Sequence, residues 1–156
     1  MKEIKLTGKY GTGKVCFVDD DDFEYLNKWK WCLDKGYPKR GVYNDTNHTI
    51  GKEVMLKHGL YSETLYIDHI NGNKLDNRKT NLRMVNEQQS ASNRPKMSGC
   101  QIKYKGVTRN RGKFRANIYP NGKKVNLGTF LTEIEAALAY KIAAKNYYGE
   151  FARINI

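Results

Sequence analysis

The chain is organised around residues 66–94, which read YIDHINGNKLDNRKTNLRMVNEQQSASNR. A short run with β-strand composition, residues 65–67, ends at an adjacent acid and imidazole, Asp68 and His69. A polar loop follows, and its Asn71-Gly72 pair is a strong turn signal. This order predicts that a carboxylate and an imidazole are presented together where a strand enters a loop.

The second half of this stretch predicts a return strand and a helix. Residues 81–85, NLRMV, have the composition of a strand. Asn86 and Gln89 have the spacing of an N-cap residue and its partner at the third helical position. The stretch therefore predicts strand, loop, strand and helix in that order, which indicates an α+β fold.

Three segments of this stretch carry a family resemblance: Asp68-His69-Ile70-Asn71-Gly72, Asp76-Asn77-Arg78 and Asn81-Leu82-Arg83. In this order they resemble the HNH endonuclease family, in particular the type found in homing and phage enzymes. The resemblance implies the ββα-metal fold, in which a hairpin and a helix share one cation. It also implies that His69 is the general base, that Asp68 holds the cation, and that Asn81 braces the loop that orients His69.

Phosphodiester hydrolysis explains why these residue types occur together. The diester is anionic, so a divalent cation must withdraw charge from the phosphate while a base deprotonates water. An imidazole with a pKa of about 6.5 suits the role of base at neutral pH. A hard ion such as Mg²⁺, or Mn²⁺ in its place, accepts one carboxylate together with other oxygen ligands. The resemblance thus implies one divalent cation at Asp68, with Ser90 and Asn93 of the helix as candidate further ligands.

Two positions depart from the family pattern. The family's second ligand is an Asn nine residues after the central Asn, and here that position is Ser90. Upstream, the family's His-Arg-Glu is replaced by Gly51-Lys52-Glu53. These departures leave open a second function: a catalytically decayed HNH scaffold that acts as a sequence-specific, regulatory DNA-binding protein.

The charge distribution indicates a polyanionic partner. The 156 residues have a formal net charge of +12. Residues 1–95 contain 16 Lys or Arg against 13 Asp or Glu, a net charge of +3, whereas residues 96–156 contain 12 against 3, a net charge of +9. Because clustered cations attract nucleic acid, we expect the strongest electrostatic contact in the last third of the chain.

The last third of the chain predicts three strands and a helix. Residues 113–119 alternate between apolar and polar side chains, as a half-buried strand does. Pro120-Asn121-Gly122 predicts the next turn, and Thr132 with Glu135 predicts a capping box for a helix that ends at Gly149. One stripe of this helix is expected to cover the apolar face of the sheet: Ala136, Ala139, Tyr140, Ala143 and Tyr147.

The opposite face of this sheet is expected to be polar, basic and exposed. A ribbon with outward Arg115 and Asn117 fits the major groove, where Arg bonds guanine and Asn bonds adenine. The motifs Lys105-Gly106-Val107, Leu127-Gly128-Thr129-Phe130 and Glu135-Ala136-Ala137 resemble the APETALA/ethylene-response-factor DNA-binding domain. The resemblance implies double-stranded DNA as the partner, with contacts at or near Arg109, Arg111, Lys113, Arg115, Asn117, Tyr119, Lys124 and Asn126.

The chain is therefore expected to contain four segments. They are an N-terminal accessory β-rich segment at residues 1–47, the HNH nuclease core at 48–95, a linker at 96–103, and the APETALA-like domain at 104–156. The combined prediction is a metal-dependent, site-preferring DNA endonuclease of the homing or phage type. An RNA-directed nuclease is a further alternative.

The N-terminal segment predicts short strands around a helix that starts near Asp20. The acids at 19–22 are explained by capping and the helix dipole rather than by a metal site. Candidate phosphate contacts are Lys35, Lys39 and Arg40. The aromatic residues Trp29, Trp31, Tyr37 and Tyr43 either fill a small core or stack on bases, and His48 and His58 are expected to be solvated or capping.

The three cysteines, Cys16, Cys32 and Cys100, form no Cys-x-x-Cys pair. They predict reduced buried thiols, with no structural zinc and no disulfide framework. No apolar run approaches the ~20 residues that a membrane span needs, and the N-terminus lacks the apolar core of a signal peptide. We therefore expect an intracellular protein without membrane contact. The family resemblance implies the cytoplasm of a bacterial or phage-infected cell, and a monomer is expected.

Overall fold

The computed structural model describes residues 1–42, 45–94 and 102–154. It divides the chain into two compact units, Met1–Asn86 and Glu87–Ile156. Most of the predicted linker, residues 96–101, lies outside the described residues, as do Tyr43 and Cys100. The fold is mixed α and β, as the sequence predicted.

The first unit contains a five-stranded sheet and a separate two-stranded hairpin. The sheet has the strand order β2-β1-β3-β4-β5, and its neighbours are antiparallel except for the parallel pair β1 and β3. The hairpin is formed by β6 and β7. The elements are β1 Lys2–Thr7, β2 Val15–Val18, α1 Asp20–Leu26, β3 Trp31–Asp34, β4 Tyr37–Val42, β5 Asp45–Thr49, α2 Ile50–Lys57, β6 Tyr66–His69 and β7 Leu82–Val85.

The core of the first unit lies between the sheet and both helices. Ile4 and Leu6 alternate with exposed neighbours along β1, so that one face of the strand is buried. Trp31 is fully buried, and its indole N–H donates to the Leu26 carbonyl at 2.8 Å. This confirms core packing for Trp31, because a buried indole N–H needs an acceptor.

Helix α2 has no counterpart among the predicted elements. Thr49 caps it by accepting a hydrogen bond from the Lys52 N–H at 3.2 Å. Ile50 and Val54 are fully buried on the face that meets the core. Eight residues are too few for a clear helical period, so burial in the finished core is what stabilises this helix.

Charged residues in the first unit form two buried clusters that the sequence did not predict. Glu53 is 3% exposed and accepts from Tyr25 at 3.0 Å and from Arg40 at 2.8 Å, and His48 lies 2.8 Å away. The prediction that His48 is solvated or capping is therefore wrong, whereas the phosphate contact of Arg40 stays a prediction. The side chains of Arg40 and His48 both contact the buried Glu53 carboxylate. Burying that negative charge without such partners would cost free energy.

The second cluster surrounds Asp22, which is fully buried. Lys57 donates to it at 2.7 Å, and His58 lies 3.0 Å away. His58 is the C-cap residue of α2, as one of its two predicted roles stated, and its ring also contacts this buried carboxylate. The N-cap residue Asp19 makes no capping hydrogen bond with its side chain and instead accepts from the Lys79 N–H at 2.7 Å. The acids at 19–22 thus make tertiary contacts that helix capping alone does not explain.

The prediction that the thiols are buried is confirmed for Cys16 and is wrong for Cys32. Cys16 is fully buried, and desolvation raises its pKa to about 12. Cys32 is exposed on β3, because alternation places its neighbour Trp31 in the core instead.

The second unit contains a short helix, a three-stranded antiparallel sheet and a long helix. The strand order is β10-β9-β8. The predicted capping box is present: the Thr132 hydroxyl accepts from the Glu135 N–H and the Glu135 carboxylate accepts from the Thr132 N–H. The elements are α3 Glu87–Asn93, β8 Val107–Asn110, β9 Lys113–Ile118, β10 Val125–Phe130 and α4 Glu133–Tyr148.

Small side chains allow α4 to lie close on this sheet. Ala136 and Ala143 are buried as predicted, and Tyr140 is 6% exposed. Gly106 permits this approach, because a Cβ at that position would overlap the Tyr140 ring. Tyr147 is 53% exposed, so its assignment to the buried stripe is wrong.

Candidate active site

The β6–β7 hairpin positions the acid and the imidazole. The two strands are antiparallel, with Asp68 opposite Arg83 and His69 opposite Leu82. The strand thus extends through His69, two residues beyond its predicted end. Because side chains alternate along a strand, Asp68 and His69 point to opposite faces of the hairpin.

His69 is buried and held by an amide. Its side chain is 6% exposed, and its Nε2 lies 3.1 Å from Oδ1 of Asn77. The Asn77 Nδ2 donates to the Cys16 sulfur at 3.1 Å and to the Lys74 carbonyl at 3.0 Å. Both contacts direct Oδ1 towards the imidazole, and an amide oxygen only accepts hydrogen bonds. His69 therefore carries its hydrogen on Nε2, and in the neutral ring the lone pair is on Nδ1.

The surroundings of His69 favour the neutral imidazole. Burial lowers the pKa of His69 below its usual value of about 6.5. The hydrogen bond to Asn77 and the negative charges of Asp68 and Asp76 oppose this shift without reversing it. At neutral pH the ring is therefore in the form that can accept a proton.

Asn81 ties the loop after His69 to the hairpin. Its Oδ1 accepts from the Asn71 N–H at 3.0 Å, and its Nδ2 donates to the Asn71 side chain at 3.1 Å and to the Asp76 carbonyl at 2.7 Å. Arg78 in turn donates to both oxygens of Asp76 at 2.7 Å and lowers the pKa of that carboxyl. One buried amide thus fixes both ends of the loop that precedes Asn77.

Asn81→Ala is expected to lower the free energy of unfolding of the first unit by about 1–3 kcal/mol, because it leaves the Asn71 N–H and the Asp76 carbonyl without their partner. Urea denaturation followed by tryptophan fluorescence measures this, since both tryptophans lie in the first unit. Asn27→Ala is the matched control, because Asn27 is exposed and uses its backbone N–H for a hydrogen bond. Equal stability of the two variants would contradict the role of Asn81.

Asp68 forms a partly buried ion pair. Arg83 Nε and Nη2 lie 3.0 and 2.9 Å from its Oδ2, and both side chains are 13% exposed. A carboxylate oxygen is the ligand type that Mg²⁺ and Mn²⁺ prefer, so the donor chemistry of Asp68 fits such an ion. The described residues contain no group of three or more His, Cys, Asp or Glu that could hold a metal. At most two such side chains among the described residues could therefore share one ion.

The two candidate helical ligands belong to α3 in the second unit. Ser90 is half-buried, whereas Asn93 is buried. Between them, Ser92 donates to the Phe151 carbonyl at 2.8 Å, and Lys105 donates to the Ser92 and Arg94 carbonyls. These contacts assign α3 to the second unit, so the predicted set of metal ligands is divided between the two units.

The candidate DNA-binding face of the second unit differs from its prediction at Asn117. This residue is 5% exposed, although alternation predicted that it faces solvent. Its Oδ1 and the Nε of Arg115 are buried and have no hydrogen-bond partner among the described residues. Unpaired buried polar atoms are uncommon and need an explanation.

The strand register refines which predicted contacts share a face. Arg115 lies opposite Thr108 and Thr129, whereas Arg109 lies opposite Phe114, so Arg109 is on the face that packs against α4. Asn126 lies opposite Asn117. The remaining predicted contacts are exposed at the ends of the strands and in the turns: Arg111, Lys113, Tyr119 and Lys124.

Comparison with known proteins identifies relatives of this chain. A family model described as HNH endonuclease matches residues 53–92. An uncharacterized HNH endonuclease of Acanthamoeba polyphaga mimivirus is 31% identical over 154 residues, which cover 93% of this chain and 76% of that protein. The dehydration-responsive element-binding protein 2C of Arabidopsis thaliana is 48% identical over 56 residues, or 34% of this chain and 16% of the plant protein.

Among the described residues, no helix is both long enough and apolar enough to cross a bilayer.

Proposed function

Because the chain belongs to the HNH endonuclease family, we propose that it is a metal-dependent DNA endonuclease that hydrolyses phosphodiester bonds. The observation that carries the proposal is the buried His69, whose Nε2–H is donated to an amide oxygen that two further hydrogen bonds hold in place. A general base needs this fixed tautomer, because the proton must be taken by the other ring nitrogen.

In this proposal His69 removes a proton from the attacking water through Nδ1. Asn77 keeps the ring in its tautomer, and Asn81 keeps the loop that contains Asn77 in place. A divalent cation bound at Asp68 would withdraw charge from the phosphate and stabilise the departing 3′ oxygen.

The second unit is proposed to hold duplex DNA and to give the enzyme a preference for certain sites. The partial match to a plant protein named as a dehydration-responsive element-binding protein supports this proposal, as does the net charge of +9 on residues 96–156. The Nε of Arg115 and the Oδ1 of Asn117 have no partner among the described residues but are buried, so they would reach base edges or bridging water only if these side chains moved on binding. The viral relative supports a phage or mobile-element setting.

Arg115→Ala is expected to weaken duplex binding by about tenfold or more, because a base contact by Arg contributes about 1–3 kcal/mol. Fluorescence anisotropy over a series of salt concentrations measures the affinity, which should fall steeply with salt in every variant. Lys145→Ala removes one cation from the exposed side of α4 and serves as the control. Equal effects of the two changes would show that charge alone, and not the β9 face, governs binding.

The nuclease proposal is tested by nicking of supercoiled plasmid with Mg²⁺ or Mn²⁺, with and without chelator. Cutting that continues in chelator would contradict metal dependence, and preferential cutting of a matched RNA would favour the RNA-directed alternative. The decayed-scaffold function is favoured by Ser90, whose hydroxyl is a weaker ligand than an amide. An inactive parent whose activity is restored by Ser90→Asn would support that function instead.

A further inference from the structure

A pocket of about 270 Å³ lies beside His69 in the first unit. It is bordered by β4, by the first turn of α2 and by the chain that leads into β6. The described residues that line it include no Asp or Glu, so nothing in this lining favours a cationic ligand. The side chains that matter for recognition are three phenols, two amines and the imidazole: Tyr37, Tyr61, Tyr66, Lys39, Lys52 and His69. Of the two amines, Lys39 also pairs with Asp34 at 2.9 Å.

Gly51 keeps the floor of this pocket open. A Cβ at that position would lie 3.0 Å from Oδ1 of Asn77 and 3.6 Å from Cγ2 of Ile67. Any side chain there would occupy the floor and press on the amide that holds His69. The residue that departs from the family pattern is thus the one whose missing side chain creates space next to the candidate base.

The lining suits a flat aromatic group with a phosphate attached. The Tyr37 ring lies 6.2 Å from the His69 ring, measured between centroids. A lining amine accompanies one phenol, since Lys52 Nζ lies 5.2 Å from the centroid of Tyr61, and Lys74 Nζ, outside the lining, lies 3.9 Å from that of Tyr37. Aromatic rings that stack on bases, together with cations that contact the backbone, are how proteins hold single-stranded nucleic acid. The volume lies just below the roughly 300 Å³ at which pockets for drug-sized ligands begin, which suits a single base.

We propose that this pocket binds one unpaired nucleobase of the substrate strand, adjacent to the phosphodiester that is cut. The inference rests on the proposed nuclease function, because the base is taken to belong to the strand that is cut at His69. An enzyme that extrudes a base must overcome its stacking and pairing, so a base that is already unpaired should enter more readily.

Binding is tested separately from cutting by titrating the full chain with dAMP, with deoxyribose 5-phosphate and with inorganic phosphate. Aromatic NMR signals of Tyr37, Tyr61 and His69 should shift with dAMP and not with the two probes that lack a base. Tyr61→Ala should weaken dAMP binding by about tenfold, whereas Tyr10→Ala, which removes an exposed tyrosine beside Lys9, should leave it unchanged. The inference would be overturned if inorganic phosphate caused the same NMR shifts as dAMP, or if Tyr61→Ala and Tyr10→Ala lost the same amount of dAMP affinity.

Tyr61 also packs against the core of the first unit, so its replacement could impair folding. Tyr66→Ala is the second variant, because that side chain is 59% exposed. Tyr66→Ala should also weaken dAMP binding, without a change in thermal stability. If both Tyr66→Ala and Tyr61→Ala fold and bind dAMP as tightly as the parent, the inference is overturned.

Cutting of matched oligonucleotide duplexes links the pocket to catalysis. A duplex with one unpaired nucleotide should be cut faster than the fully paired duplex, and Tyr61→Ala should remove this preference. A protein that binds dAMP in the pocket but cuts neither duplex would support the nucleobase site and contradict the nuclease proposal. A protein that cuts both duplexes equally, with or without Tyr61, would overturn the pocket inference alone.

Discussion

His69→Ala is expected to slow DNA cutting by about 10²- to 10⁴-fold, the range that a positioned general base contributes. The structure gives this residue the required features: a buried ring, a pKa lowered by desolvation, and an Nε2–H donated to Asn77. Single-turnover nicking of supercoiled plasmid measures the rate, and anisotropy with a duplex measures binding. Duplex affinity should remain close to that of the parent, because the proposed DNA-binding face lies in the other unit.

His58→Ala is the matched control for this experiment. His58 is also a partly buried histidine in the first unit, and it is also held by a polar side chain, Asp22. It therefore shows how much the cutting rate falls when a hydrogen-bonded histidine outside the candidate site is removed. If His69→Ala cuts as fast as His58→Ala, another group removes the proton and the proposed mechanism is wrong.

Local signals predicted the parts of the fold that depend on neighbouring residues. The capping box at Thr132 and the helix end at Gly149 were found because their patterns span a few positions. The return strand β7 and the start of α3 one residue after Asn86 were found for the same reason. Helix α2 was missed because its stabilising contacts come from the finished core rather than from its own eight residues.

Long-range pairing explains what the sequence could not predict about the site. The family motif supplied His69 and Asn81, and it also contained Asn77, which was quoted without a role. Nothing in the local sequence shows that Cys16, 61 residues earlier in the chain, orients the Asn77 amide. Similarly, strand alternation alone placed Asn117 on an exposed face, whereas the packed structure buries it.

Asp68→Asn is expected to reduce cutting by at least about a hundredfold, because a bound Lewis acid contributes several kcal/mol to the transition state. The amide keeps the shape of the side chain but removes the charge that would hold the cation. The Mg²⁺ concentration needed for half-maximal nicking should therefore rise, and cutting at saturating Mg²⁺ should remain low. Plasmid nicking over a series of Mg²⁺ concentrations measures both quantities.

Arg83→Gln separates the proposed cation from the ion pair that the structure shows. Either substitution removes the ion pair between Asp68 and Arg83, in which both side chains are 13% exposed, so both variants should lose stability. Only Asp68→Asn removes the carboxylate, whereas Arg83→Gln leaves it in place for a cation. Cutting should therefore survive better in Arg83→Gln, and its requirement for Mg²⁺ should not increase. Equal loss of cutting in the two variants, with an unchanged Mg²⁺ requirement in both, would mean that Asp68 acts through the ion pair and that the cation is bound elsewhere.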